Sequence, residues 1–264
     1  MMNEKIHLAS GYLNYLLKSK HWKGHGIHSP FVYELVSQVL YDRKPYPGYE
    51  EIQVILEKLK NTTDKLPVSE FGAGSHELSG ETISVSEMVL KSSVSNKYGK
   101  LLFRIARFYK PSSVIELGTS IGLSTLYLAK GAPDSRVVTL EGNKAVCEYA
   151  RSLFHEYQLK NVQAINGLFD DYLPYLDEKY SNAGLVFIDG NHTREATLRY
   201  FHHFAGLMKD GIIIIDDINW SVDMQEAWET IKLEENNRVT LDLFFMGIVI
   251  FRKSITPGHY IVRF

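Results

Sequence analysis

Three acids and a histidine follow two strongly apolar runs. In LVFIDGNHTREA, residues 185–196, four apolar residues lead into Asp189, Gly190, Asn191 and His192. Histidine titrates near pH ~6.5, so at neutral pH it can take a proton from an attacking group. A second run, Ile212–Ile215, ends in Asp216 and Asp217. Where such runs are neighbouring strands, three carboxylates share one mouth and repel one another unless a cation relieves them. A hard divalent ion with oxygen ligands, Mg²⁺ most simply, suits that set. Asp189, Asp216 and Asp217 are therefore candidate metal ligands, and Asp189 with His192 the candidate catalytic pair. A plainer reading stays open. In it Asp216 or Asp217 caps the helix beginning near Ser221, Asp189 closes a turn with Gly190, and His192 is an inert turn residue.

Positioning these groups requires strands that end together. From Lys97 onward the chain alternates strand and helix. Strands are read at SVIEL, RVVTL, VQAIN, LVFI and IIII. Between them helices are read from apolar spacing: KYGKLLFRIARFYK, SIGLSTLYLAK, NKAVCEYARSLFHEYQL and REATLRYFHHFAGLM. SVDMQEAWETI follows the fifth strand, with Ser221 as its N-cap. VTLDLFF and IVIFR, around Met246–Gly247, close the chain as a strand pair. Alternation of this kind predicts right-handed βαβ units and a doubly wound, mostly parallel α/β sheet. Residues 1–96 read as an extension of short helices (Ile6–Leu17, Pro30–Leu40, Tyr49–Leu59) and loops, and residues 97–264 as the main domain. The glycine- and serine-rich stretch within 66–96 is expected to be a loop, with a lid role open to it.

In open α/β sheets ligands lie beyond the carboxyl ends of the strands. After the first strand comes Glu116-Leu117-Gly118-Thr119-Ser120-Ile121-Gly122. Its glycines permit a tight turn and close backbone approach, and the next helix offers N-terminal N–H groups. The spacing is not the G-x-G-x-x-G of dinucleotide enzymes, and an acid before the first glycine favours a cationic ligand. Glu141, after the second strand, can accept from a ribose diol. After the third, Gly167 with Leu168 and Phe169 offers an apolar edge for a flat base. Glu70-Phe71-Gly72-Ala73-Gly74 imitates the motif, but KLPVS before it is a poor strand and nothing helical is read after it.

VIELGTSIGLSTLYLA, VVTLEGN, FIDGNH and GIIIIDD together resemble the motif series of class I S-adenosylmethionine (SAM)-dependent methyltransferases, over about residues 97–252. The resemblance implies a Rossmann-like methyltransferase fold with a seven-stranded sheet. It implies that Gly118, Thr119, Ser120, Gly122 and Ser124 line the methionine end of SAM and that Glu116 lies near its amino group. Glu141 and Gly142 would hold the ribose, Gly167, Leu168 and Phe169 the adenine, and Asp189 would also border the cofactor. Asp189-Gly190-Asn191-His192 is similar to the Asp-Gly-x-His run of sugar and macrolide O-methyltransferases. Catechol-type enzymes carry Lys at the fourth place and Asp-Asn after the fifth strand, where this chain has Asp216-Asp217. The implied activity is O-methylation of a small hydroxylated molecule, with His192 as base and Mg²⁺ as an optional aid.

Composition sets bounds. The 264 residues are 45% hydrophobic with a formal charge of −2, enough for a sizeable core. The charge is balanced, with 29 basic and 31 acidic residues and no basic stripe, which gives nucleic-acid binding no electrostatic support. No apolar run is long enough for a bilayer, and the N-terminus lacks a signal-peptide pattern. Cys147 alone cannot form an internal disulfide, which fits a reducing cytoplasm. The expected partner is a small-molecule acceptor, with a homo-oligomer left open. Two rivals stand beside the methyltransferase reading: an NAD-type oxidoreductase and a non-catalytic binding protein that keeps the SAM fold.

Overall fold

The computed structural model describes residues 2–67, 82–91, 96–180, 182–234, 238–253 and 255–264. The helices are α1 (Met2–Lys18), α2 (Pro30–Glu34), α3 (Pro47–Lys60), α4 (Val85–Lys91), α5 (Asn96–Tyr109), α6 (Leu123–Gly131), α7 (Lys144–Glu156), α8 (Phe169–Tyr180), α9 (Arg194–Leu207) and α10 (Val222–Leu233). The strands are β1 (Lys65–Pro67), β2 (Thr82–Ser84), β3 (Ser113–Leu117), β4 (Arg136–Glu141), β5 (Val162–Asn166), β6 (Leu185–Ile188), β7 (Gly211–Ile215), β8 (Arg238–Asp242), β9 (Gly247–Phe251) and β10 (Gly258–Ile261). The architecture is the expected mostly parallel α/β arrangement. The chain clusters into two units, residues 1–42 with 185–264, and residues 43–184.

In the continuous unit, 43–184, β3, β4 and β5 lie side by side and parallel, in register from Ser113↔Arg136 and Val137↔Val162. β3 is buried along its whole length. A parallel strand is covered on both faces, so even Ser113 and Glu116 of β3 are buried. α5 packs its apolar stripe against α6, and Gly99 makes room for the ring of Tyr127. Asn143 caps α7 by accepting from the N–H groups of Ala145 and Val146.

In the discontinuous unit, the strand order is β10-β8-β9-β7-β6. β6 and β7 are parallel, while β9 runs antiparallel to both β7 and β8, as read for the closing strand pair. Ile212 to Ile215 are each at most 1% exposed, which makes β7 the centre of this core. Ser221 does cap α10, accepting from Met224 N–H at 3.1 Å. The first helix is tied to the segment after the last strand by Tyr15, whose hydroxyl donates to the Val262 carbonyl at 2.6 Å and accepts from Phe264 N–H at 2.9 Å. Among the described residues no helix is long and apolar enough to cross a membrane.

Several elements differ from expectation. Among the described residues the two units carry, besides the β1–β2 pair, five and three strands, eight rather than the expected seven. The extra one, β10, lies parallel to β8 at an edge and is only partly buried, so it has no apolar run to betray it. α8 was not read, because Pro174 sits in its interior and interrupts a helical pattern. Lys65–Pro67 is a strand after all, paired antiparallel with Thr82–Ser84, and a helix, α4, follows. Both strands have three residues, too few for periodicity to act on. Glu70–Gly74 and most of the expected loop lie outside the described residues.

Candidate active site

The continuous unit gathers its strand ends on one residue, Glu141. Its Oε2 accepts from Ser120 N–H at 2.8 Å and its Oε1 from Asn143 N–H at 2.9 Å. Its carbonyl accepts from Gly167 N–H at 3.0 Å and from Asn166 Nδ2 at 2.9 Å. Burial raises the pKa of this carboxyl, and the backbone N–H groups pull it back. Each carboxylate oxygen can accept more than one bond, so capacity remains for a further donor. The turn after β3 is laid across the end of β4, with Gly118 and Thr119 N–H both donating to the Leu140 carbonyl at 3.0 Å. Gly118 and Gly122 have φ of 110° and 89°, which only glycine adopts without strain. Ser120 takes φ 48° without being glycine. Such conformations persist where surrounding structure enforces them, and they gather at ligand sites.

Beneath that turn lies Glu116, 0% exposed. Thr125 Oγ1 donates to its Oε2 at 2.5 Å, while Oε1 has no hydrogen-bond partner. Burial pushes its carboxyl up to about 7, against hydrogen bonds from Ser124, Thr125 and Thr139, and the charge of Glu141 adds to the rise. Thr119 also faces inward, its Oγ1 2.6 Å from that of Thr139. At the end of β5, Leu168 is 47% exposed beside the half-buried Phe169, while Gly142 and Gly167 are partly exposed.

These features fit SAM. The tight turn suits close approach, the orphan oxygen of Glu116 suits a cationic amino group, the hub at Glu141 suits a diol, and Leu168 with Phe169 suits a base. The structure thus brings together Glu116, Gly118, Ser120, Gly122, Glu141, Gly142 and Gly167 around one set of strand ends. It turns the side chains of Thr119 and Ser124 into the layer below.

In the discontinuous unit, Asp189 and Asp216 follow neighbouring parallel strands, and Asp216 N–H donates to the Ile188 carbonyl at 3.0 Å. His192 Nε2 stands 3.7 Å from Asp189 Oδ1. Burial lowers the pKa of the His192 ring, so the ring is neutral at physiological pH. Asn191 and Asp217 both have φ 54°, a conformation Asn and Asp tolerate better than most residues. Burial pushes the Asp217 carboxyl up to about 6. Among the described residues no group of three or more His, Cys, Asp and Glu side chains is arranged to hold a metal ion. Asp189 and the Asp216-Asp217 pair stand at the ends of the neighbouring strands β6 and β7, and no step of the reaction is routed through a metal.

Residues 115–218 match the family model described as a methyltransferase domain. This stretch is a methyltransferase domain. The chain is 36% identical over 130 residues to a catechol O-methyltransferase of Mycobacterium tuberculosis, covering 47% of this chain and 56% of that protein. It is 30% identical over 128 residues to a catechol O-methyltransferase of Niastella koreensis, covering 47% and 57%. The chain thus spans little more than half the length of these curated relatives. Among solved structures, cofactor-bound Rv0187 from MTB aligns with a TM-score of 0.55 at 22% identity, over 85% of this chain and 98% of that one. An O-methyltransferase from Bacillus cereus in complex with SAH aligns at 0.51 and 23% identity, over 83% and 97%. At those identities the likeness is one of fold.

Two residues of the methyltransferase domain went unnoticed in the sequence, Thr125 and Thr139. Thr139 is a lone hydroxyl inside the buried strand RVVTLE, and buried hydroxyls need partners. That was the available signal. Thr125 sits in a helix apolar on nearly every side, where the same rule applies.

Proposed function

We propose that this chain is a SAM-dependent methyltransferase that transfers a methyl group to an oxygen of a small hydroxylated molecule. The observation that carries the reading is the His192–Asp189 pair in a methyltransferase domain. A neutral imidazole at the end of β6 can take the proton of an acceptor hydroxyl, and Asp189 stabilises the imidazolium that results. Bound SAM supplies an electrophilic methyl group. The continuous unit contributes the cofactor contacts: the backbone of Gly118–Gly122 for the amino-acid end, Glu141 for the ribose, and Leu168 with Phe169 for the base. Orienting donor and acceptor supplies much of the acceleration. The similarity to catechol O-methyltransferases supports an oxygen acceptor. The Asp-Gly-Asn-His run and Asp217 separate this chain from the catechol-type pattern, so sugar-like as well as aromatic hydroxyls belong in the acceptor panel. A reducing cytoplasm suits the free, buried Cys147.

The test is calorimetric titration with S-adenosylhomocysteine, then turnover of labelled SAM against a panel of small hydroxylated compounds, with wild type and His192→Ala side by side. Micromolar binding and hydroxyl-dependent turnover that collapses in the variant support the reading. Nucleotide binding restricted to NAD would return the oxidoreductase alternative, and SAM binding without turnover the non-catalytic one.

A further inference from the structure

Glu116 lies beneath the cofactor turn in a setting unusual for a carboxylate. Its side chain is fully buried, and it faces hydroxyls of α6 and β4 rather than a cation. Thr125 Oγ1 occupies Oε2. Oε1 is buried with no hydrogen-bond partner. A buried, ionised carboxylate with an empty oxygen is costly, whereas a neutral carboxylic acid in the same place is tolerable. The site lies at the N-terminal end of α6, directly under the Gly118–Gly122 turn, where the cofactor's α-ammonium group belongs on the reading above.

We infer that Glu116 is held as a neutral acid in the free chain and gives up its proton when a ligand bearing an α-ammonium group binds, so that cofactor capture is coupled to proton release. The inference rests on the SAM reading. The balance is simple: the O–H bond of the Glu116 carboxyl breaks, the proton goes to solvent, and the carboxylate forms an ion pair with the ligand's ammonium. No covalent bond to the ligand changes.

Burial pushes the free carboxyl up to about 7, which favours the neutral form at and below neutral pH. The sign of the linkage follows. The bound state holds fewer protons than the free state, so affinity rises with pH up to about 7 and levels off above it. Below that point binding weakens up to about tenfold per pH unit. Another ionisable group acts on the site: Glu141, at the end of β4, raises the Glu116 carboxyl by its charge, and its own oxygens are held by the N–H groups of Ser120 and Asn143.

The experiment is calorimetry of S-adenosylhomocysteine binding from pH 5.5 to 8.5, in paired buffers of different ionisation enthalpy, which counts protons released. The expected result is release approaching one proton near pH 6 and falling toward zero at pH 8.5, with affinity rising by roughly tenfold from pH 6 to 8. 5′-Methylthioadenosine, which lacks the amino-acid end, should bind with no such release. Glu116→Gln should bind with a flat pH profile and without this release, which separates Glu116 from Glu141. Thr125→Val removes the hydroxyl on Oε2, raises the carboxyl further and should move the affinity midpoint to higher pH. If Glu116→Gln fails to fold, the wild-type proton count and the Thr125→Val shift decide. A flat profile with tight wild-type binding overturns this inference and leaves the cofactor reading standing. No S-adenosylhomocysteine binding at any pH overturns both.

Discussion

Nε2 of His192 stands 3.7 Å from Oδ1 of Asp189, at the end of the strand that precedes it. The spacing lets the carboxylate stabilise an imidazolium without locking the ring in a short hydrogen bond. His192→Ala should lower turnover by about 10²–10⁴, the usual worth of a general base. Because burial depresses the ring's pKa, wild-type turnover should hold at neutral pH and fall only below the ordinary histidine value of 6.5. Melting temperature and rate measured on one preparation check this. A lower melting temperature with an unchanged rate per folded molecule would assign His192 to structure.

Glu141 joins three strand ends, so its removal should act on both binding and order. Glu141→Ala forfeits two charge-assisted bonds from backbone N–H groups and the proposed ribose contact. Cofactor affinity should drop by about 10- to 100-fold, from the ~1.5–3 kcal/mol typical of one such bond to a charged group. Titration with S-adenosylhomocysteine measures it.

The turn itself should resist substitution. A Cβ at Gly122 would lie 2.6 Å from two carbons of the Phe154 ring, and φ is 89° there. Left-handed strain of about 1–2 kcal/mol and overpacking of about 1–3 kcal/mol act in the same direction. Gly122→Ala should therefore destabilise by about 2–5 kcal/mol in denaturant unfolding, with loss of cofactor binding in the fraction that stays folded.

Folding stability should carry the mark of Glu116. Its carboxyl moves from 4.5 to about 7 on burial. A raised carboxyl stabilises the fold in its protonated form, so the contribution is complete below 4.5 and is lost as pH rises through about 7. Between pH 5 and 8 the wild type should lose on the order of 2–3 kcal/mol relative to Glu116→Gln. Paired denaturant curves at the two pH values give the difference, and parallel curves would mean that the carboxyl titrates normally.

How much of this was legible in the sequence varies by element. β7 and its acids were plain, because GIIIIDD is buried on both faces and ends at a polar mouth. Ser221 was plain for a local reason, since a hydroxyl before an amphipathic run satisfies an orphan N–H. α8 was hidden by Pro174, and β10 by its position at a sheet edge, where pairing needs no apolar pattern. Within the site, spacing placed Gly118, Gly122 and Glu141 after their strands. It could not tell that Glu116 points into a nest of hydroxyls, because that depends on which residues of α6 and β4 arrive beside it. Nor could it tell the turn conformations beside these acids, such as φ 54° at Asp217.

Tyr15→Phe should expose the value of one hydroxyl. It would remove the hydroxyl that donates to the buried Val262 carbonyl and accepts from the Phe264 N–H. The expected loss is about 1–3 kcal/mol. Amide exchange at Phe264 should quicken, and an unchanged exchange rate would mean that the C-terminal segment is held by other contacts.

The same tyrosine has a consequence for the order of synthesis. Tyr15 and Val262 are 247 residues apart. At about 5–20 residues per second, on the order of ten seconds or more separate the two on the ribosome. The first 42 residues belong with 185–264, whereas residues 43–184 form a unit whose parts all emerge in one stretch. During translation α1 is therefore made first and docked last, and a nascent chain halted after Gly184 would carry its opening helix without the strands that receive it.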